Sequence, residues 1–224
     1  MTNSGTGPGS ITPDGSPVEF YLLIEPNGEP EIVSAALAPG SSILEIGSGV
    51  GRLTHPLLAL GYDVVAVDES ADMLAHVRGA RTVRARAQEL RLERVFDAVL
   101  LASHLVNTAD DQARRELLAA CARHLRPGGV VLVQWTPAEQ HDAWEVGRGR
   151  TTGNLSITTA AVEPVRPGVI ASTMRYTQGE RVWTQSFWSR RLTDDELRAE
   201  LEAAGLRLDR FLTDDRTWVL AVRE

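Results

Sequence analysis

Apolar residues in this chain gather into short unbroken runs, separated by stretches with helical spacing. Ser42 to Ile46, Asp63 to Val67, Thr82 to Ala85, Phe96 to Ala102 and Val130 to Trp135 read as five strands. They are nearly continuous in Val, Ile, Leu and Ala, which is the pattern of a parallel sheet covered by helices on both faces. Pro30 to Ala38 reads as a helix, with a proline suited to its first turn and Pro39-Gly40 ending it. Arg52 to Leu60 is a second helix, stopped by Gly61. Ser70 can cap a third, which carries Met73, Leu74 and Val77 on one side. Thr108 with Asp111 resembles a capping box for a helix that runs to Leu125, before the turn at Pro127-Gly128-Gly129.

The pattern then changes. Leu155 to Ser189 is rich in Thr, Val, Ile, Tyr and Trp and shows no helical spacing. Ile170 to Tyr176 and Arg181 to Ser189 flank Gln178-Gly179 and predict a hairpin. Thr193 to Glu196 opens a helix with a capping box, and Gly205 closes it. Leu206 to Leu212 and Thr217 to Val222 form an expected antiparallel pair. The fold class is therefore α/β: a doubly wound, mostly parallel sheet, a strand-rich insert at 136–191 after the fifth strand, and an antiparallel closing strand. Residues 1–17 hold Gly, Pro, Ser and Thr with neither a basic nor an apolar leader pattern, and read as a flexible tail before a single domain at 18–224.

Charge and composition narrow the partners. The net charge is −7, and a phosphate-binding protein usually carries a basic stripe. The run Arg78, Arg81, Arg84, Arg86, Arg91, Arg94 is broken by Glu89 and Glu93 and reads as a solvated surface, so nucleic acid is not an expected partner. No stretch approaches the ~18 apolar residues of a membrane helix, so no membrane association is expected. The single cysteine, Cys121, excludes an internal disulfide and a cysteine-built zinc site; its spacing with Leu117 and Leu125 places it on an apolar helix face. This fits a reducing, cytoplasmic location. The five histidines are scattered without metal-ligand spacing, so no metal is expected.

The strongest chemical signal is Glu45-Ile46-Gly47-Ser48-Gly49-Val50-Gly51, between a buried strand and a helix. Glycines there permit a tight turn and close approach of a ligand to the backbone. Asp68, at the end of the second strand, lies near the ~20-residue separation at which an acid can accept both hydroxyls of an adenosine ribose. A dinucleotide fold wants G-x-G-x-x-G, with a pyrophosphate at the helix start. Here the spacing is G-x-G-x-G, which better suits a ligand with no phosphate but with carboxylate and ammonium ends, for which Glu45 supplies an acid.

Ile43 to Ser70 resembles the first two motifs of class I S-adenosylmethionine-dependent methyltransferases of the small-molecule type. The similarity continues through Asp72-Met73-Leu74, Arg86-Ala87-Gln88, Phe96 to Thr108 and Leu125 to Val133, and more weakly over Leu192 to Glu224. The resemblance implies a Rossmann-like sheet of seven strands and S-adenosylmethionine as cofactor. It places Gly47, Ser48 and Gly49 under the methionine part, with Glu45 nearby. Asp68, with Glu69 beside it, would meet the ribose. Met73, Ala87 and Gln88 would meet the adenine, and Ser103 and His104 the sulfonium and the acceptor. Departure from the Asn/Asp-Pro-Pro-aromatic run at Ala102 to Leu105 turns the expectation from nucleic acid to a small-molecule acceptor.

Methyl transfer is an in-line displacement, served mostly by alignment in a dry pocket. His104 is the first candidate base and His141 the second. Tyr21, Trp135, Tyr176 and Trp183 are candidate pocket walls, with Phe20 and Tyr21 as a lid. The same aromatics can instead form a small core or the surface of a homodimer through the insert. Two other functions stay open from the residues: a nicotinamide-dependent oxidoreductase, and a non-catalytic S-adenosylmethionine-binding partner protein.

Overall fold

The structure, a computed structural model, describes residues 3–223 of the 224-residue chain. It begins with strand β1 (Ser4–Thr6), helix α1 (Val18–Tyr21) and helix α2 (Glu29–Ala36). The alternating core follows as β2 (Ser42–Ile46), α3 (Thr54–Ala59), β3 (Asp63–Asp68), α4 (Ala71–Leu74), β4 (Arg81–Arg84), β5 (Phe96–Leu101), α5 (Asp111–Arg123) and β6 (Leu125–Gln134). Helix α6 (Ala138–Asp142) then leads into β7 (Gly149–Thr152), β8 (Leu155–Arg166), β9 (Val169–Gln178) and β10 (Arg181–Arg190). Helix α7 (Asp194–Ala203) and strands β11 (Leu206–Phe211) and β12 (Trp218–Arg223) close the chain.

The main sheet has seven strands in the order β11-β12-β6-β5-β2-β3-β4, and β12 runs against its neighbours. Successive residues of a strand point to opposite faces. Leu44, Val65, Val99 and Val131 therefore pack against α5 and α7, while Ile43, Val64, Leu100 and Leu132 pack against α2 and α3. Both faces are covered, which is why the strands are apolar without alternation. The chain winds outward from β2 to β4 and returns to β5, so the sheet reverses its winding between β2 and β5. Ligands of open α/β sheets bind at that crevice, outside the carboxyl ends of the strands.

The second sheet has five antiparallel strands in the order β1-β10-β9-β8-β7. Its edge strand β1 comes from the segment expected as a tail. Ser4 to Thr6 pair with Thr184 to Ser186, and the Trp183 indole donates to the Pro8 carbonyl at 2.9 Å. The flexible-tail expectation thus fails for residues 3–17. They form a strap, because the Pro13-Asp14-Gly15 turn folds the segment back and Trp183 offers it an apolar floor.

Three smaller expectations are corrected. Asp110, not Thr108, caps α5, accepting from the amides of Gln112 and Ala113 at 2.9 and 3.0 Å. That helix stops at Arg123, because Leu125 already pairs with Phe96 before the register slips around Pro127 to Gly129. Trp135 is no pocket wall: it is fully buried in the main core, with its indole donating to the Arg216 carbonyl at 2.6 Å. Trp135→Ala is expected to lower the unfolding free energy by ~3–5 kcal/mol in urea denaturation, as for other buried tryptophans.

Candidate functional site

The loop after β2 is shaped by the end of β3. Amides of Gly47 and Ser48 donate to the Val67 carbonyl at 2.8 and 2.9 Å. The Gly49 amide donates to Asp68 Oδ2 at 2.8 Å, and Ser70 donates to Oδ1 at 2.9 Å. Gly47 and Gly49 have φ of 75° and 56°, the left-handed region that glycine enters without penalty. A Cβ on Gly47 would lie 2.4 Å from Leu105 Cδ1. The cradle therefore requires both glycines for their backbone conformation, and Gly47 also for its contact with Leu105.

Two carboxylates lie beneath and beside the loop. Glu45 is buried, and its Oε2 accepts from the Thr54 hydroxyl at 2.5 Å. Burial pushes it up to about 7, against the lowering effects of Thr54 and the Arg52 charge. Burial also raises Asp68, outweighing the two amides that it accepts from. The Ser48 hydroxyl is buried in the loop without a hydrogen-bond partner. An unpartnered hydroxyl, two left-handed glycines that leave the backbone open to a close approach and a strand-end acid are the donor and acceptor set for an amino-acid tail and a sugar. The residues fit S-adenosylmethionine.

Elsewhere around the cofactor position, the residues meet different fates. Met73 is buried with Val18 and Val50, and Tyr21 packs on that cluster. Helix α1 thus lies against the glycine loop. Ala87 is half-buried and Gln88 exposed in a short turn beyond β4. Glu69 is paired with Arg86 at 3.1 Å, and its carboxylate faces that guanidinium.

The loop after β5 faces the glycine loop across the crevice. Ser103 and His104 both have φ of 58°, consecutive non-glycine residues in the left-handed region. Each costs ~1–3 kcal/mol unless its surroundings hold it. Here they do: the Ser103 amide donates to Gln134 Oε1 at 2.8 Å, and His104 Nδ1 meets the Thr136 hydroxyl at 3.1 Å. Asn107 locks the arrangement by accepting from the Thr136 amide at 2.7 Å and donating to the Thr136 and Arg190 carbonyls, both at 3.0 Å. His104 is exposed, yet the protein packed around it removes part of the ring's hydration. That desolvation holds its pKa below the ordinary histidine value, with the Arg52 charge acting in the same direction and the Trp135 carbonyl opposing.

Sequence reasoning passed over Arg52 and Glu29. They form a largely buried ion pair at 2.6 Å. Burial works against the Glu29 carboxylate, but Arg52 and the Asn27 amide outweigh it and hold its pKa low. The Arg52 charge is felt at Glu45, Tyr21 and His104 alike. An arginine directly after the glycines, opposite an acid that opens a helix, is the signal that was available.

Of the remaining candidates, Tyr21 and Tyr176 converge: both phenols donate to Gln185 Oε1, at 3.1 and 3.0 Å. Tyr176 also stacks on Phe20 with centroids 3.8 Å apart. Trp183 is fully buried beneath the strap and serves as its floor rather than as a pocket wall. His141 is buried on α6 with Nε2 toward the Ser189 carbonyl at 3.3 Å, a packing position between α6 and the insert rather than a free base. Among the described residues, no group of three metal-ligating side chains occurs, and no helix is long and apolar enough to cross a membrane.

Two measurements follow from the carboxylates. Asp68→Asn is expected to weaken S-adenosylhomocysteine binding by ~10- to 100-fold in calorimetry, the worth of a hydrogen bond to a charged group. Glu45 has a folded pKa above its unfolded value, so it binds more protons folded than unfolded between about pH 4.5 and 7. Its contribution to stability is fully present below that window and is lost as the pH rises through it. Glu45→Gln is expected to flatten the fall in the denaturation midpoint across the window; an unchanged slope contradicts the assignment.

A family model described as a methyltransferase domain matches residues 43–129. An uncharacterized methyltransferase of Mycobacterium tuberculosis is 35% identical over 147 residues, covering 62% of this chain and 58% of that protein. The chain thus spans little more than half the length of that relative. Cypemycin N-terminal methyltransferase of a Streptomyces species is 30% identical over 207 residues, 80% of this chain and 83% of that one. Among solved structures, the sugar N-methyltransferase KedS8 of Streptoalloteichus sp ATCC 53650 shares the fold, with a TM-score of 0.70 at 19% identity over 97% of this chain and 98% of that one. Similarity across four fifths of both chains, together with a methyltransferase-domain match that spans the glycine loop and Asp68, makes this chain a member of the class I S-adenosylmethionine-dependent methyltransferases.

Proposed function

We propose that this chain transfers the methyl group of S-adenosylmethionine to a nitrogen of a small, amine-bearing acceptor, with His104 as the base. One observation carries the reading. His104 is held in a strained backbone conformation at the crevice, hydrogen-bonded to Thr136 and exposed to solvent. Strained residues that persist under such support cluster at functional sites. The matched Streptomyces relative, whose name assigns it to an N-terminal amine, supports nitrogen as the target.

The cofactor supplies an already activated methyl group. The protein's contribution is alignment, exclusion of water and proton uptake. Asp68 and the glycine loop hold one partner, while the crevice beneath α1 and the insert receives the other. An ammonium has no lone pair with which to attack, so the acceptor must lose a proton. Desolvation lowers the pKa of His104 and favours its neutral form, and the side chain is exposed where it can take that proton. The acidic net charge also favours a cationic acceptor over an anionic one. The lone, buried Cys121, whose thiol burial pushes up to about 12, suits a reducing cytoplasm.

A panel comprising a peptide with a free N-terminus, nucleotide-linked amino sugars and their hydroxyl counterparts tests the reading. Turnover of an amine with release of S-adenosylhomocysteine is expected. Turnover of only the hydroxyl compounds would overturn the nitrogen assignment, and tight cofactor binding with no turnover would favour a non-catalytic binder. In the wild type, kcat is expected to fall at acid pH, with its midpoint below the ordinary histidine value, as His104 becomes protonated. His104→Gln should abolish that acid limb and lower kcat by ~100- to 10,000-fold. A variant that retains both the rate and the limb removes His104 from the reaction.

A further inference from the structure

We propose that Asp14, on the N-terminal strap, is a positioning residue: acting through Ser16 and Gln185, it fixes the direction of the Tyr21 phenol proton, so that Tyr21 offers a lone pair to an N–H of the acceptor. This rests on the amine reading above.

The argument is one of donors and acceptors. As a carboxylate, Asp14 can only accept. Its Oδ1 accepts from the Thr12 hydroxyl, and its Oδ2 from the Ser16 hydroxyl at 3.0 Å. The turn that holds it is closed by the Gly15 amide on the Thr12 carbonyl at 2.9 Å and the Ser16 amide on Thr12 Oγ1 at 2.8 Å. Ser16 has one hydroxyl proton, and it is committed to Asp14. Toward Gln185, Ser16 can therefore only accept. The Gln185 amide nitrogen must face Ser16, as it does at 2.9 Å, which turns Oε1 toward the two phenols. Both tyrosines then donate into Oε1, at 3.1 Å from Tyr21 and 3.0 Å from Tyr176.

A phenol has one proton. With that proton spent on Gln185, the Tyr21 oxygen can only accept from anything else that meets it. Burial raises the pKa of both phenols, so the protons stay in place across the working range. The Tyr176 hydroxyl is buried at its hydrogen bond, whereas that of Tyr21 is only partly so. Tyr21 also packs on the cluster that Val18 forms with Val50 and Met73 beside the cradle, while its hydroxyl reaches the insert. It therefore stands where the two halves of the site meet. A lone pair there rewards an amine or ammonium and opposes a carbonyl or carboxylate, whose own lone pairs would face it.

Asp14→Asn reverses the chain. Its amide nitrogen can donate to Ser16, which frees the Ser16 proton for the Gln185 oxygen, flips that amide and turns the phenol protons outward. With the full chain, S-adenosylmethionine and the amine turned over by the wild type, the KM for the amine is expected to rise ~10-fold, the loss of about one hydrogen bond. S-adenosylhomocysteine affinity is expected to change less than the KM, because Asp14 makes no hydrogen bond to the cradle and reaches Asp68 only through its charge. In a Tyr21→Phe background the same substitution should add nothing, a coupling that a merely structural role of the strap would not produce. Ser16→Ala breaks the chain one link further on and should reproduce the effect, while Ser16→Thr should retain wild-type KM. An unchanged KM in Asp14→Asn, or additive effects with Tyr21→Phe, overturns the proposal and leaves the amine reading standing. A wild type that methylates no amine overturns both.

Discussion

The geometry of the site depends on one strand end. The Val67 carbonyl takes two amides of the glycine loop, and the Asp68 carboxylate takes a third together with the first amide of the next turn. These bonds hold a loop with left-handed glycines in one shape before any ligand arrives. The same carboxylate is the acid that we propose meets a sugar, so the group that shapes the cradle would also be part of what the cradle recognises. Pre-organisation of this kind lowers the ordering cost of binding.

Around that centre, two connections make a single site from two sheets. Asn107 joins the loop after β5 to Thr136 and to Arg190 of the insert, which sets where the His104 ring can lie. The strap and α1 make the other connection, with Val18 against the glycine loop and Phe20 against Tyr176. Arg52 lies among these groups, neutralised by Glu29, and tempers the charge at Glu45 and His104.

The main sheet was legible because its strands are buried on both faces. Ser42–Ile46 is delimited in the sequence as it is in the structure, and Asp63–Asp68 exceeds its expected span by one residue. The glycine loop and Asp68 were legible for the same reason: a buried strand leaves little freedom in where its end falls. Contacts between segments distant in sequence were not legible. The strap looked featureless because its ordering comes from Trp183 and β10, some 175 residues away, and not from its own composition. Trp135 read as a pocket wall because periodicity gives the side of a strand but not whether a loop, here at Arg216, covers it. The cap of α5 was misplaced by two residues because Thr108 and Asp110 both have capping chemistry, and the Arg114 guanidinium draws the Thr108 carbonyl away.

Strand β10 is ten residues long and pairs with β9 along its whole length. Its other side would be an open row of amides and carbonyls, the kind of edge along which proteins add to one another. Residues 4–6 cover part of that row, and the chain then crosses above Trp183. The strap is thus also a guard on solubility. A chain that lost it would present the middle of β10 as a template for foreign strands, and aggregation would become a hazard independent of any change in chemistry.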